Sequence, residues 1–295
     1  MTTQSTLMLL TTETSLHAGS GQSVAGIDLP IQREAHTGWP CVFGSSMKGA
    51  LRAHAQGKLE NQQILDLFGP EQSAQPQERD SNHAGALLIG DAQLLALPVR
   101  SLQSRFKWVT SPACLQRFFT HAERLGVQIP QLNISVNQEF DALGNKEETT
   151  FLEEFKLEQK PSEQITLLAQ WLSPLIDNHF TTEVIEQNLL IVHDDIFTFL
   201  TRHATAINPH IAIDSETKSV KTGALWYEES LPSETLLYVP ISAHAARRKE
   251  SQLTAQQVLA QLMTLFPSNS HWLQIGGNET TGMGWCRVNF TQGEA

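Results

Sequence analysis

From Thr6 to Glu13, leucine and methionine alternate loosely with threonine, a period of two that predicts a β-strand. The strand runs into a polar, glycine-rich loop beginning near His17. At Gly44-Ser45-Ser46 the period changes: Met47, Ala50 and Leu51 share one side of a predicted helix, Lys48 and Arg52 share another, and Ser46 is the expected N-cap. Leu87 to Pro98 predicts a strand pair or one long strand, and Pro112 to Leu125 a helix with Leu115, Phe118, Phe119 and Ala122 inward. Leu189 to Val192 predicts a short strand, followed by a helix from Asp194 to Arg202 whose Ile196, Phe197, Phe199 and Leu200 face a core. His210 to Asp214 and Ala224 to Tyr227 read as strands flanking the turn-prone Ser215 to Ser219, a long hairpin. Thr254 and Gln257 have capping-box spacing ahead of a helix through Val258, Leu259, Leu262 and Phe266, which Pro267 stops. The last elements are strands on either side of a glycine loop. Strands and helices mix without regular βα alternation, so the pattern predicts an α+β fold with helices on one face of a sheet.

A chain of 295 residues has room for one large core or two modest ones, and no composition break marks a linker. Local disorder is expected between Gly69 and Gly85, a run rich in Gln, Pro, Ser and Asp, and after Phe290. Cys41, Cys114 and Cys286 are few, odd in number and far apart, which fits neither a disulfide framework nor a zinc site and predicts a reducing compartment. With no basic N-terminal region and no segment near the ~20 apolar residues of a membrane span, the expected location is the cytoplasm.

Charge opposes nonspecific nucleic-acid affinity: the formal net charge is −11, whereas phosphate binding needs clustered cations. The opposition lifts if the cations are local, at Lys48 and Arg52, at Arg100, Arg105 and Lys107, and at Arg247, Arg248 and Lys249, with much of the acid gathered in Glu147 to Glu158. Solvated surface explains each cluster equally well.

Four features carry candidate chemistry. The Gly44-Ser45-Ser46 helix start offers unpaired N–H groups and partial positive charge, with Lys48 and Arg52 in support, as a cradle for phosphate; an ordinary capped helix is the alternative. No GxxxxGK[ST] run is present, which argues against a nucleotide-hydrolysing P-loop. Asp28, after Gly26 and before Pro30, either faces a ligand or closes an Asx turn on its own backbone. Trp226 and Tyr227 either stack on bases or pack the hairpin. The Gly276 to Gly284 loop either admits RNA backbone or joins two strands.

Three blocks add a resemblance. Gly26-Ile-Asp-Leu-Pro-Ile-Gln-Arg-Glu34 with Gly44-Ser-Ser-Met-Lys-Gly-Ala-Leu-Arg52, then Lys221-Thr-Gly-Ala-Leu-Trp-Tyr-Glu-Glu229, then Gly276-Gly-Asn-Glu-Thr-Thr-Gly-Met-Gly284, resemble the repeating backbone subunit of type III-B (Cmr) CRISPR effector complexes, within the RAMP superfamily. The first block is specific, the second moderately so, and the glycine loop weak alone.

The resemblance implies a single RAMP domain over residues 1–295, with a ferredoxin-like palm related to the RNA-recognition motif and a β-hairpin thumb over approximately Thr205 to Pro232. It implies guide crRNA, complementary target RNA, further copies of the chain and other Cmr subunits as partners, and no membrane. Asp28 matches the loop aspartate associated with target RNA cleavage, as base or metal ligand, and the activity requires a divalent cation, Mg2+ or Mn2+. His17 and Glu228 are the accompanying catalytic candidates, with Glu229 able to take the place of Glu228. Ser45, Ser46, Lys48, Arg52, Trp226, Tyr227, Gly277, Gly282 and Gly284 are the implied RNA-binding residues. A structural guide-RNA-binding filament subunit without nuclease activity uses the same palm and thumb and is the competing reading.

Overall fold

The computed structural model describes residues 3–21, 23, 26–70, 83–176, 179–267 and 270–292. Residues 71–82, at the heart of the expected disordered run, and 293–295 beyond Phe290 lie outside the described residues. The chain begins with β1 (Gln4–Thr12), β2 (Cys41–Val42), α1 (Gly44–Ala55) and α2 (Asn61–Phe68), followed by β3 (Leu87–Ile89), β4 (Ala92–Arg100), β5 (Phe106–Thr110) and α3 (Pro112–Arg124). Next come β6 (Asp141–Gly144), β7 (Glu148–Leu152), β8 (Phe155–Pro161), α4 (Glu163–Leu175), α5 (Thr182–Asn188), β9 (Leu189–Val192) and α6 (Asp194–His203). The hairpin strands β10 (Ala206–Ile213) and β11 (Val220–Ser230) lead into β12 (Leu236–Ala243), α7 (Ala255–Thr264), β13 (Trp272–Gln274) and β14 (Trp285–Gln292).

One mixed sheet runs in the order β13-β14-β1-β12-β4-β5-β9-β6-β8-β7, with β2 pairing β4 and β3 pairing β12. The first strand, β1, lies third from one end, antiparallel to both β12 and β14. Successive residues of β1 feed opposite cores: Met8 and Leu10 pack with Met47, Leu51, Phe197 and Val258 from α1, α6 and α7, whereas Leu7 and Leu9 pack with Phe118 and Leu168 from α3 and α4. Helices therefore cover both faces, which corrects the expectation of one covered face. The reason is local: the Leu7-Met8-Leu9-Leu10 run has no polar alternate, so a strand carrying it needs apolar cover on each side.

The predicted Leu87 to Pro98 segment is one path broken at Gly90-Asp91, since β3 and β4 both lie antiparallel to β12. The break sits opposite Pro240, whose carbonyl accepts the Gly90 N–H at 3.0 Å. Ser111 caps α3 through the Cys114 N–H, and the Thr254–Gln257 capping box forms as the spacing requires. Helix α7 ends at Thr264, so Phe266 packs from beyond the helix. Residues 126–188 carry no predicted element. The structure places three strands and two helices there; β8 buries only two of its seven residues, too weak a pattern to stand out in the sequence.

All three cysteines are free and buried; burial foremost pushes the Cys41 and Cys286 thiols up to about 12 and that of Cys114 to about 11. Among the described residues no helix is long and apolar enough to cross a membrane.

Candidate nucleic-acid interface and cleavage site

The long hairpin forms a two-stranded sheet apart from the main one. Its outer part is apolar yet open: Ile207, Ile211, Ile213, Val220 and Leu225 are all exposed. Asp214 closes the turn by accepting the Glu216 N–H, the Thr217 N–H and the Thr217 hydroxyl, which hold its carboxyl below the usual aspartate range. Down β11 the exposure vanishes, and Glu228, Glu229 and Ser230 are buried.

At this buried root the glycine-rich loop of residues 16–34 docks. Leu29 bridges Glu228 in parallel fashion, its N–H donating to the Tyr227 carbonyl at 3.0 Å and its carbonyl accepting the Glu229 N–H at 3.0 Å. Leu16 exchanges both main-chain hydrogen bonds with Leu231 at 2.9 Å. Three consecutive residues of β11 thereby hold the candidate groups. The Tyr227 N–H donates to Asp28 Oδ2 at 2.8 Å, which leaves the exposed Asp28 carboxylate one oxygen outside this bond. An Asx turn is therefore not what engages Asp28; its partner lies across the fold.

The Glu229 carbonyl meets His17 Nδ1 at 2.7 Å. A carbonyl only accepts, so Nδ1 carries the proton and neutral His17 has its lone pair on Nε2. The ring is buried, flanked by Gly19 and Gly277, where an added Cβ would fall 2.9 Å from Nε2 and 3.6 Å from Cδ2 respectively.

The adjacent glutamates separate by strand alternation. Glu228 points to the glycine loop, where Asn278 Nδ2 donates to its Oε1 at 2.6 Å. Glu229 turns the other way and is fully committed: Oε1 accepts from Arg33 Nη2 at 2.5 Å and from Thr205 Oγ1 at 2.7 Å, and Oε2 from the Ile31 N–H at 3.1 Å. Arg33, Glu229 as an anchor and Asn278 were absent from the sequence-derived site. Arg33 stands inside the first quoted block and Asn278 inside the third, but what each contacts is set across the fold.

The helix start differs from expectation. Helix α1 begins at Gly44 with Phe43 at the N-cap, so Ser46 lies inside the first turn and does not cap it. Asp91, delivered by the β3–β4 break, accepts the Gly44 N–H at 2.7 Å, and a tertiary carboxylate starts the helix three residues early. Ser46 Oγ instead accepts from Gln32 Nε2 at 3.1 Å, and Ser45 is exposed. Arg52 Nη1 donates to the Gly69 carbonyl at 2.5 Å.

The cation clusters also resolve differently. Arg100 pairs with Glu153 at 3.0 Å, Arg248 with Asp66 at 2.9 Å, and Lys107 is buried, donating to the Gln187 carbonyl at 2.7 Å, with desolvation pushing its pKa down. Glu148 and Glu158, in the acidic stretch, pair with Lys146 and Lys156, so that stretch is locally balanced. Lys48 and Arg247 are exposed and line one cleft of about 540 Å³ whose wall, among the described residues, carries no carboxylate.

Trp226 stacks on His210 across the hairpin, ring centroids 5.5 Å apart and 14° from parallel, while Tyr227 is exposed. In the C-terminal loop Gly277 donates its N–H to the His17 carbonyl at 2.9 Å, and Gly284 donates to the Ser15 carbonyl at 2.8 Å. Gly276, at φ 82°, lies so close to the His17 carbonyl that a Cβ would collide with it, which makes it the glycine the site requires. Gly282, at φ 84°, faces open space.

Among the described residues no group of three or more His, Cys, Asp or Glu side chains forms a metal cage. The exposed Asp28 carboxylate suits the other mode, in which a hard divalent cation takes one protein carboxylate and completes its shell with substrate phosphate and water.

The mixed α+β sheet thus carries a self-paired hairpin whose root gathers an aspartate, a histidine and a glycine loop. The RAMP superfamily model matches residues 9–287, and the chain belongs to that family. It is 37% identical over 298 residues to the CRISPR system Cmr endoribonuclease Cmr4 of Pyrococcus furiosus, covering 97% of this chain and 95% of the relative. The CRISPR system CMR subunit Cmr4 of Saccharolobus solfataricus is 26% identical, with 94% and 93% covered. The crystal structure of oligomeric Cmr4 from Pyrococcus furiosus superposes with a TM-score of 0.73 at 28% identity, covering 98% of each chain.

Proposed function

We propose that this chain is the repeating backbone subunit of a type III-B CRISPR effector complex, holding guide RNA along a filament of its own copies and cleaving complementary target RNA. The family, the near-full-length likeness to an endoribonuclease and the likeness to an oligomeric crystal structure support the reading. The observation that carries it is the root of the hairpin, where Asp28 and His17 are held by backbone groups of Tyr227 and Glu229 on one strand while the hairpin projects beyond them.

Cleavage by attack of a ribose 2′-hydroxyl needs that oxygen in line with its phosphate, an acceptor for its proton and a donor for the leaving 5′-oxygen. His17 Nε2, as the lone-pair nitrogen of neutral imidazole, takes or returns a proton. Asp28 accepts the hydroxyl proton or aligns the group that loses it. A divalent cation, when bound by Asp28 and the phosphate, supplies charge stabilisation. Glu228, held by Asn278, shapes the wall beside them. Sequence recognition belongs to guide–target pairing, and the protein supplies periodic positioning.

The test is cleavage of end-labelled complementary RNA by the reconstituted guide-bound complex, wild type against Asp28→Ala, at matched assembly and with Mg2+ or Mn2+ present. A regular product ladder lost in the variant supports the nuclease. Intact RNA with both, despite normal guide and target binding, establishes the structural filament subunit instead.

A further inference from the structure

We propose that Arg33 and Glu229 form a positioning pair that fixes the register of the hairpin against the Asp28 loop, and so selects which phosphodiester is cut. The inference rests on the nuclease reading above and adds residues to it that make no contact with the reacting atoms.

Glu229 is 2% exposed, yet its carboxylate joins two segments to β11: the site loop, through Arg33 and Ile31, and Thr205 immediately before β10. Its main chain joins two more groups, accepting from His17 Nδ1 and donating to the Leu29 carbonyl beside Asp28. Arg33 extends the tie. Its Nη1 donates to the Gly38 and Thr201 carbonyls, both at 2.8 Å, and its Nη2 also reaches Thr205 Oγ1 at 3.4 Å. One guanidinium thus fixes the end of the site loop, the last turn of α6 and both strands of the hairpin root. The planar fork suits this: Lys cannot hold four acceptors in fixed directions.

A looser tie lets the ribbon shift on the palm, and the Leu29 bridge carries Asp28 with it. A misplacement of about 1 Å at a reacting centre can cost about 100-fold in rate. Guide binding along the palm surface does not pass through this buried pair, so binding and cutting respond differently. That split separates positioning from simple loss of fold.

The experiment compares wild type, Arg33→Lys and Glu229→Gln in the assembled guide-bound complex, with cut sites mapped at nucleotide resolution under single-turnover conditions. Hydrogen exchange on the free chains reports on Leu29, Ile31 and Glu229. The expected result for Arg33→Lys is guide affinity within about twofold of wild type, a cleavage rate about 10- to 100-fold lower, cuts spread to neighbouring phosphodiesters, and faster exchange at those three amides with β1 and β12 unchanged. Combining the two substitutions should cost little more than either alone, as for groups that act as one unit. Cuts at wild-type positions, with unchanged exchange at Leu29 and Ile31, overturn the pair. Intact RNA with the wild-type complex overturns the nuclease reading instead, and the exchange at the three amides then decides the tie by itself.

Discussion

The outer hairpin and its root are one ribbon with two physical characters. From Val220 to Tyr227 strand β11 is largely exposed, with apolar Val220 and Leu225 open to solvent; over its last three residues it is buried, polar and hydrogen-bonded to the palm. A projecting ribbon of this kind has no core to hold it and gains little from its own pairing. Its direction is set at the root, where Glu229 and Arg33 meet. The contrast teaches how the two parts differ physically: the outer ribbon offers open apolar surface, whereas the root is a buried, hydrogen-bonded frame around Asp28 and His17.

The largest effect that could break this division is at Asp28. Asp28→Ala should lower target cleavage by about 10²- to 10⁴-fold, the range for a lost proton-transfer group. Stability should fall by only about 1 kcal/mol, for the one hydrogen bond to the Tyr227 N–H. Parallel cleavage and denaturant titrations would show it; a large stability loss would move Asp28 from chemistry to framework. Next is the contrast between the neighbouring glutamates. Glu229→Ala leaves Arg33 partly buried and unpaired and should destabilise the chain by about 3 kcal/mol, whereas Glu228→Gln keeps an acceptor for Asn278 and should cost about 1 kcal/mol or less. Equal denaturation midpoints for the two variants would erase the distinction drawn here.

Farther out the effects should shrink. Trp226→Ala should weaken target RNA binding by about 1–3 kcal/mol through lost stacking and leave the melting temperature nearly unchanged, measurable by titration and thermal unfolding. The reverse outcome would assign Trp226 to packing with His210 alone. At the tip, the folded-state pKa of Asp214 is depressed by its hydrogen bonds, first of all from the Thr217 N–H. Its contribution to the turn is complete above the ordinary aspartate value of about 3.9 and fades as pH falls through the depressed value. Amide exchange at Thr217 should therefore remain slow somewhat below that pH, and Asp214→Ala should remove the pH dependence without altering cleavage.

Much of the frame was legible because it is written in local periodicity and capping. The strand at β1, the face of α3, the face of α6 apart from Phe199, which was expected inward but is exposed, the Thr254–Gln257 box and the hairpin turn depend on neighbours a few residues apart. Motif blocks brought Asp28, His17 and the glycine loop into view. The strands within residues 126–188 were opaque because short strands with few buried residues carry little apolar signal, as in β8. The α1 start was misplaced because Asp91, far along the chain, caps it more effectively than Ser46 could within its own turn.

The sequence by itself determined most elements outside residues 126–188, the family and the chemical groups available, since each follows from side-chain type and short spacing. Tertiary structure alone decided which groups act together. Covering both faces of β1 brings the loop of residues 16–34 to the end of β11, and strand alternation then turns Glu228 toward the glycine loop and Glu229 toward Arg33. Nothing in two adjacent glutamates announces that difference; it arises because a buried carboxylate must find donors, and those donors lie 24 to 198 residues away along the chain.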